Sequence, residues 1–309
     1  MRVFPLLSLG LLALSSCQSR STPPAAGRPT VVVHDDLGRP LTLPARPRRV
    51  LALVPSLTEM LWAVADTTTI IARTQADNYP PAARRRPLVS SYPLDMERLV
   101  ALRPDVVFTL EGMTPPDAAA RLGQLGVPVY YQKYRTVADV LRGLDNLGRL
   151  LGRAGPARRL TDSLRHELAA LEAAPVRPGP RPTVLALASA DPLYAYGRNT
   201  LFSDEIRLAG GQNALQDTFA QPYPALTREY VLKLNPDVLL AGRFGKMDST
   251  LFRNYPELRR LRAYRTRAVF ATTPNLLERP GPRVVEAVRE LRQLLAGAPP
   301  STSPPVSAR

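Results

Sequence analysis

The chain has 309 residues, 45% of them hydrophobic, and a formal net charge of +15 at pH 7. This length is enough for two domains of ordinary size. The charge suggests a nucleic-acid partner, but the cations are nearly all arginine and are scattered, with no run longer than Arg84–Arg86. Nucleic-acid-binding proteins concentrate basic charge on one face and carry a recognisable motif, so we expect no nucleic-acid partner.

Residues 1–16 predict an export signal. Arg2 gives a basic start, Phe4–Leu14 is a short apolar run, and Cys17 is the only cysteine in the chain. The run is too short for a membrane-spanning helix, which needs roughly 20 residues. The tetrapeptide that ends at Cys17 resembles the bacterial lipobox, so we expect Cys17 to be lipidated and to anchor the protein in the cell envelope, facing the periplasm. An ordinary signal peptide with an unrelated cysteine is the alternative.

The two ends of the mature chain have a composition typical of disorder. Residues 17–28 form a Ser/Pro/Gly tether and residues 298–309 a Pro/Ser-rich tail, and neither has enough apolar side chains to bury. Between them strand and helix patterns alternate, which predicts an α/β fold. The continuous apolar run Val50–Val54 is typical of a strand covered on both faces. Ser56 and Glu59 match a capping box, so a helix should begin at Ser56.

The chain contains an internal repeat. Residues 95–108 read DMERLVALRPDVVF and residues 227–240 read TREYVLKLNPDVLL, a separation of 132 positions. Leu51–Ser56 independently resembles Leu185–Ala190, a separation of 134 positions. Two similar separations predict two lobes in tandem, although chance similarity between amphipathic helix–strand units is the alternative for either match alone.

A long helical stretch separates the two predicted lobes. Thr136 can cap a helix that continues to about Arg153, and a second helix over 154–175 carries leucines at three- and four-residue spacing. About 18 residues of helix span about 27 Å, which is enough to brace two lobes. We therefore predict an N-terminal lobe over 29–153, a bridging helix and a C-terminal lobe over 176–297.

Several segments, in order, resemble the class III periplasmic binding proteins, the helical-backbone group that serves cobalamin, siderophore and haem importers. These segments are Val31–Arg39, Arg49–Glu59, Asn78–Pro81, Asp95–Arg98, Leu201–Glu205, Ala209–Asn213 and Arg279–Arg283. The resemblance implies two Rossmann-like three-layer lobes joined by one long bridging helix, with a small-molecule ligand held between them. It also implies a monomer that delivers its ligand to an ABC permease dimer, with no cofactor and no enzyme activity.

The ligand is expected at the carboxyl ends of the strands, where open α/β sheets bind their ligands. The turn at Pro55 and Ser56 ends one such strand and opens a helix, whose free N–H groups favour polar or anionic groups. Its counterpart in the second lobe is the loop over 189–197. The other candidate ligand-binding residues are Tyr79, Tyr92, Tyr194, Tyr196, Tyr223 and Arg279. For any one tyrosine, ordinary packing is the alternative.

The identity of the ligand stays open between three classes. Asn78–Pro81 resembles the cobalamin-binding members most, but these tend to wall the pocket with tryptophans, and the only tryptophan here, Trp62, lies inside a predicted helix. A siderophore is the close rival, because Arg198, Arg243 and Arg279 could pair with carboxylates or phosphate-like oxygens. Haem is the third class.

The sequence argues against a metal site and against a hydrolase. The two histidines, His34 and His166, are far apart in the sequence, and no cluster of ligating residues accompanies them. Ser56 follows a strand, but it lacks the flanking glycines of a nucleophile turn. An interaction lipoprotein without a transporter is the remaining alternative.

Glu97 and Glu229 occupy equivalent positions in the two copies of the repeat, each near the start of its helix. The resemblance implies that they dock the protein onto arginines of the two permease subunits. Stabilisation of each helix by a carboxylate in its first turn is the alternative.

Overall fold

A computed structural model describes residues 28–174, 179–241 and 247–298. The predicted signal peptide, Cys17, nearly all of the tether and nearly all of the tail lie outside the described residues. The strands are β1 (Thr30–His34), β2 (Pro40–Pro44), β3 (Val50–Ala52), β4 (Val106–Leu110), β5 (Val129–Gln132), β6 (Thr183–Ala190), β7 (Leu193–Ala195), β8 (Gln212–Asn213), β9 (Val238–Ala241) and β10 (Val269–Ala271). The α-helices are α1 (Pro55–Val64), α2 (Met96–Leu102), α3 (Pro116–Gln124), α4 (Val137–Leu150), α5 (Ala154–Ala173), α6 (Leu201–Leu208), α7 (Arg228–Leu234), α8 (Met247–Asn254), α9 (Arg262–Arg265) and α10 (Val284–Ala296).

The described strands form two main sheets, one in each half of the chain. In the N-terminal half (residues 28–153), β3, β4 and β5 form a parallel sheet in that order, and β1 and β2 pair as an antiparallel hairpin. In the C-terminal half (residues 179–298), the order is β10-β9-β6-β7, with β8 also paired to β6. Among the described strands of this second sheet, only β7 runs antiparallel to its neighbour. The predicted α/β class is confirmed.

The strand register shows that the internal repeat is a structural duplication. Val50 pairs with Val106 in the first sheet, and Val184 pairs with Val238 in the second. Val184 lies 134 positions after Val50, and Val238 lies 132 positions after Val106, which are the two separations found in the sequence. The helices that precede β4 and β9 also match, because each has 7 residues and ends at a left-handed residue, Arg103 or Asn235.

The aspartates of the repeat join the strands of each sheet. Asp105 accepts hydrogen bonds from the backbone N–H groups of Arg48 and Arg49, at 2.6 and 3.0 Å, just before β3. Asp237 accepts from the backbone N–H of Thr183 at 2.9 Å, at the start of β6. Burial acts to raise the pKa of Asp105, but hydrogen bonds, the largest of them from Arg28, outweigh it and lower that pKa. Each aspartate therefore fastens the start of one central strand to its neighbour.

Two helices in the middle of the chain pack against both halves. Thr136 and Asp139 form a capping box at the start of α4, which confirms the predicted cap, although the helix ends at Leu150. The next helix, α5, has 20 residues and buries one face that includes Leu164 and Leu168. It contacts α1 and α4 on one side and α6 and α10 on the other. The predicted lobe boundaries at 153 and 176 stay a prediction.

The apolar core has three parts in the described chain. One cluster lies under the first sheet and a second under the second sheet, each built from its own half. The third contains residues from both halves, among them Leu57 and Leu144 of the N-terminal half and Ile206 and Val288 of the C-terminal half. The two sheets are therefore held together by a shared layer of helices.

The predicted capping box at the start of α1 is wrong. The helix begins at Pro55, and Val54 occupies the cap position without a side-chain hydrogen bond. Glu59 instead turns to Arg279 and Arg283, which lie more than 200 positions further along the chain. A partner so remote in sequence outcompetes the local capping bond, because it offers charge-assisted hydrogen bonds in a buried place.

Candidate ligand-binding cleft

A cleft of about 510 Å³ lies between the two halves of the chain. Its N-terminal wall comes from residues 54–56, 110–113 and 132–135, which follow the carboxyl ends of β3, β4 and β5. Its C-terminal wall comes from residues 196, 200–202, 222–223 and 277–280. The cleft therefore lies where α/β proteins place their ligands.

Three aromatic rings form an apolar surface on the C-terminal wall. Tyr196 stacks on Phe202 with ring centroids 4.4 Å apart, and Tyr223 meets Tyr196 edge to face at 5.5 Å. Half of Tyr223 is exposed. Burial raises the pKa of Tyr223, and the charge of Arg135 opposes that rise. The hydroxyl group therefore stays protonated at neutral pH, and the wall presents flat, uncharged rings to the cleft.

The N-terminal wall carries a buried polar pair. Tyr134 is almost fully buried, and its hydroxyl group donates a hydrogen bond to the side-chain oxygen of Gln132. Burial raises the pKa of Tyr134 well above its usual range, so this phenol remains a neutral donor. Both side chains border the cleft, but the amide group of Gln132 is fully buried and also donates to the backbone carbonyl of Gly143 at 3.4 Å, so the pair supports the wall from within.

An ion-pair network borders the same wall. Glu111 pairs with Lys133 at 3.0 Å and with Arg135 at 2.6 Å. All three side chains are partly exposed and line the cleft. Met113, which is 62% exposed, extends this border with an apolar side chain. Because the charges of this network are partly compensated, the border favours polar ligand groups over a strongly charged ligand.

A second, buried ion-pair cluster borders the cleft through Arg279. The carboxylate of Glu59, whose side chain is 2% exposed, accepts two hydrogen bonds from Arg283, both 2.8 Å long, and one of 3.2 Å from Arg279. Arg279 also donates to the side-chain oxygen of Asn78 at 2.6 Å. The cluster joins α1 to the segment before α10, and it ties the two halves together directly.

The structure brings together five of the eight residues that the sequence assigns to the ligand. Pro55, Ser56, Tyr196, Tyr223 and Arg279 line the cleft. The guanidinium group of Arg279 is occupied by the buried cluster, so it is less available to a ligand than the sequence predicts.

The other three residues do not line this cleft. Tyr92 is 89% exposed, and Tyr194 lies on β7 with part of its ring exposed. Tyr79 is covered by the guanidinium group of Arg283, whose central carbon lies 4.3 Å from the ring centroid. Of the further arginines considered for a siderophore, Arg198 lines a neighbouring groove, and Arg243 lies outside the described residues.

Sequence reasoning missed most of the N-terminal wall. Residues 110–113 and 132–135 contribute Glu111, Gln132 and Tyr134 among others. Each segment directly follows a parallel strand, so the argument that selected Pro55 and Ser56 could have found them. The repeat did not help, because its recognised copies end at residues 108 and 240, before these segments begin.

Glu97 and Glu229 are both exposed, in the first turns of α2 and α7. The caps of these helices are Asp95 and Thr227, which accept the hydrogen bonds that cap the first turns. A hydrogen bond from Arg228 lowers the pKa of Glu229. The two glutamates are not needed as caps, and they are exposed at equivalent places on the two halves, with Glu229 in an ion pair with Arg228 at 2.9 Å.

Within residues 28–174, 179–241 and 247–298, no helix is long and apolar enough to cross a membrane, and no group of three metal-ligating side chains occurs. His34 lies on β1 and His166 on α5, both exposed. Neither histidine lines the cleft.

A family model described as periplasmic binding protein matches residues 50–276. The chain belongs to this family. Periplasmic binding proteins of this kind bind small-molecule ligands and work with ABC permeases, and this one is a binding protein and not an enzyme.

This periplasmic binding protein is similar to relatives of known name. It is 28% identical over 262 residues to a vitamin B12-binding protein of Yersinia pestis, covering 84% of this chain and 90% of the relative. Among solved structures, the periplasmic vitamin B12 binding protein BtuF of Vibrio cholerae has a TM-score of 0.71 at 23% identity, covering 81% of this chain and 96% of that one. A periplasmic heme binding protein from Pseudomonas aeruginosa has a TM-score of 0.72 at 26% identity, covering 83% and 96%.

Proposed function

We propose that this periplasmic binding protein captures a cobalamin-like corrinoid in the cleft between its halves and delivers it to an ABC permease. The observation that carries the proposal is the aromatic wall of Tyr196, Phe202 and Tyr223 on one side of the cleft and the partly exposed ion-pair network of Glu111 on the other. A corrinoid is a flat macrocycle with amide arms. Its face can pack on aromatic rings, while its amides can hydrogen-bond with the polar groups of the Glu111 network. The similarity to vitamin B12-binding proteins supports the same ligand class.

A ligand panel tests this proposal. Purified mature protein is heated with cyanocobalamin, haemin or a ferric siderophore, and the shift in Tm is compared at equal ligand concentration. A ligand that binds only the native state raises Tm by mass action. We expect the largest shift with cyanocobalamin, and a shift with either of the others alone would contradict the corrinoid assignment.

Haem is the second candidate, because one feature of the cleft favours it. Tyr223 presents its phenol group to the cleft and is near the positive charge of Arg135. A tyrosine side chain is a known axial ligand of haem iron, in which case the metal displaces the hydroxyl proton that Tyr223 otherwise keeps. If haem were the ligand, its absorbance spectrum would change on binding, and Tyr223→Phe would abolish that change while leaving the free protein folded.

A lipid anchor at Cys17 is part of the same proposal. The apolar run and the lipobox-like sequence support it. One acyl chain alone gives only marginal membrane binding, so stable attachment needs more than one. We expect mass spectrometry to find acylation at Cys17, and we expect Cys17→Ser to move the protein from the membrane fraction to the soluble fraction. A wild-type protein that is soluble and unmodified at Cys17 would contradict the anchor.

Docking through Glu97 and Glu229 completes the proposal. Two exposed carboxylates at equivalent places on a duplicated fold suit a partner made of two similar subunits. Charge complementarity of this kind sets orientation and association rate. The double variant Glu97→Gln, Glu229→Gln should abolish uptake in cells while ligand affinity in solution is unchanged. The matched control Glu167→Gln, Glu172→Gln removes two exposed carboxylates from α5, and it should transport at the wild-type rate. Normal uptake by the first variant would exclude the docking role.

A further inference from the structure

A groove of about 670 Å³ lies next to the cleft and is lined by four arginines. They are Arg135, Arg181, Arg198 and Arg207. Asp204 is the only acidic residue that lines this groove in the described part of the chain. The groove also carries neutral hydrogen-bonding side chains, among them those of asparagine, glutamine and serine residues. Such a surface favours an anion.

Two of the four arginines lack a carboxylate partner among the described residues. Arg207 pairs with Asp204 at 2.8 Å, and Arg135 pairs with Glu111 at 2.6 Å. Arg198 donates only to the backbone carbonyl of Gln216, at 3.2 Å, and Arg181 takes part in none of the ion pairs described. The groove therefore holds two positive charges that no carboxylate of the described chain compensates.

The groove and the cleft are neighbours that share part of their lining. Arg135 and Thr200 line both. Thr200 caps α6, so the first turn of that helix, with Ser203, also faces the groove. An arm of a ligand whose flat part lies on the aromatic wall of the cleft would meet the groove at Arg135, the exposed side chain that borders both.

We propose that this groove is a subsite for an oxyanion arm of the ligand, and that Arg181 and Arg198 bind it. The inference rests on the proposed corrinoid function, for which the arm is the phosphate of the nucleotide loop. Arginine suits this role because its planar guanidinium group can donate two parallel hydrogen bonds to phosphate oxygens. The arm adds affinity and fixes which end of the ligand enters each part of the site.

The test compares two corrinoids on wild-type and variant protein. Cyanocobalamin keeps the phosphate-bearing nucleotide arm, and dicyanocobinamide lacks the whole arm. Affinities are measured by isothermal titration for the wild type and for the double variant Arg181→Ala, Arg198→Ala. The matched control is Arg158→Ala, Arg159→Ala, which removes two exposed arginines from the first turns of α5. Both control arginines follow the C-terminal end of α4, whereas the N-terminal end of that helix lies at the cleft. Because α4 has 14 residues, its two ends are about 21 Å apart.

The variant should weaken cyanocobalamin binding roughly ten-fold, as expected for the loss of charge-assisted hydrogen bonds at a partly solvated site. Its affinity for dicyanocobinamide should change less than two-fold, and the control should bind both ligands like the wild type. Because both arginines are exposed, Tm should stay unchanged. Equal weakening of both corrinoids, or of neither, would overturn the subsite while leaving the corrinoid function intact. Failure of the wild type to bind either corrinoid would overturn the proposed function, and the subsite with it.

Discussion

The buried ion pairs of Glu59 with Arg279 and Arg283 should contribute strongly to the free energy of unfolding. Glu59→Gln keeps the shape of the side chain but removes its charge, which leaves Arg279 and Arg283 close together with side chains only 11% and 18% exposed. Burial acts to lower the pKa of Arg283, but the hydrogen bonds and charge of Glu59 outweigh it and raise that pKa. Without the charge of Glu59, the two largely buried guanidinium groups lose the carboxylate that they share.

The expected loss follows from the burial. Removal of one partner of a buried ion pair typically costs about 3–5 kcal/mol in the free energy of unfolding. In a protein of this size each kcal/mol lowers Tm by about 2–4 °C, so the loss in Tm should be roughly 6–20 °C. Thermal unfolding followed by circular dichroism measures it directly, and urea unfolding gives the free energy.

Glu167→Gln is the matched control for this measurement. Glu167 pairs with Arg289 at 3.1 Å, in the same Glu–Arg chemistry, but both side chains are 45% exposed. An exposed pair contributes about 1 kcal/mol or less, so Tm should fall by only a few degrees. If Glu59→Gln were no more destabilising than Glu167→Gln, the view that the buried cluster clamps the two halves together would be refuted.

Three further variants test other parts of the structure. Burial raises the pKa of Glu205 well above its ordinary value of 4.5. The native state therefore loses stability relative to the unfolded state as the pH rises above 4.5, because the carboxyl group ionises more easily in the unfolded chain. Glu205→Gln removes this loss, so it should raise Tm at pH 7 and have no effect near pH 4. Asp105 has a lowered pKa, so its contribution is present above pH 3.8 and lost below it; Asp105→Asn should lower stability by about 1–3 kcal/mol at pH 7 and by less as the pH falls. Tyr223→Ala should weaken ligand binding roughly ten-fold or more at nearly unchanged Tm, whereas Tyr92→Ala, outside the cleft, should leave affinity unchanged in the same titration.

The duplicated fold could be predicted from the sequence because its signals are local. Helix–strand units repeat with their Pro-Asp pairs in register, and Thr136 with Asp139 is a complete capping signal within four residues. Each such pattern fixes the conformation of the segment that carries it. The α/β class, the start of α4 and most of α5 can therefore be predicted from the sequence alone.

The candidate site was less accessible, because its contacts join distant segments. Glu59 looks like a cap in the sequence, and only the fold brings Arg283 to it across 224 positions. Tyr92 and Tyr223 both lie in turns or bends outside the strands and helices. Tyr92 is almost fully exposed, whereas Tyr223 lines the cleft. The pattern of a tyrosine in a turn contains no information about which of these outcomes will occur.

Calorimetric titration of the mature protein with cyanocobalamin tests the central claim most directly. We predict one corrinoid bound per chain, with the affinity of the Tyr223→Ala variant reduced roughly ten-fold or more. No heat of binding with cyanocobalamin, together with one-to-one binding of haemin or of a ferric siderophore, would contradict the claim.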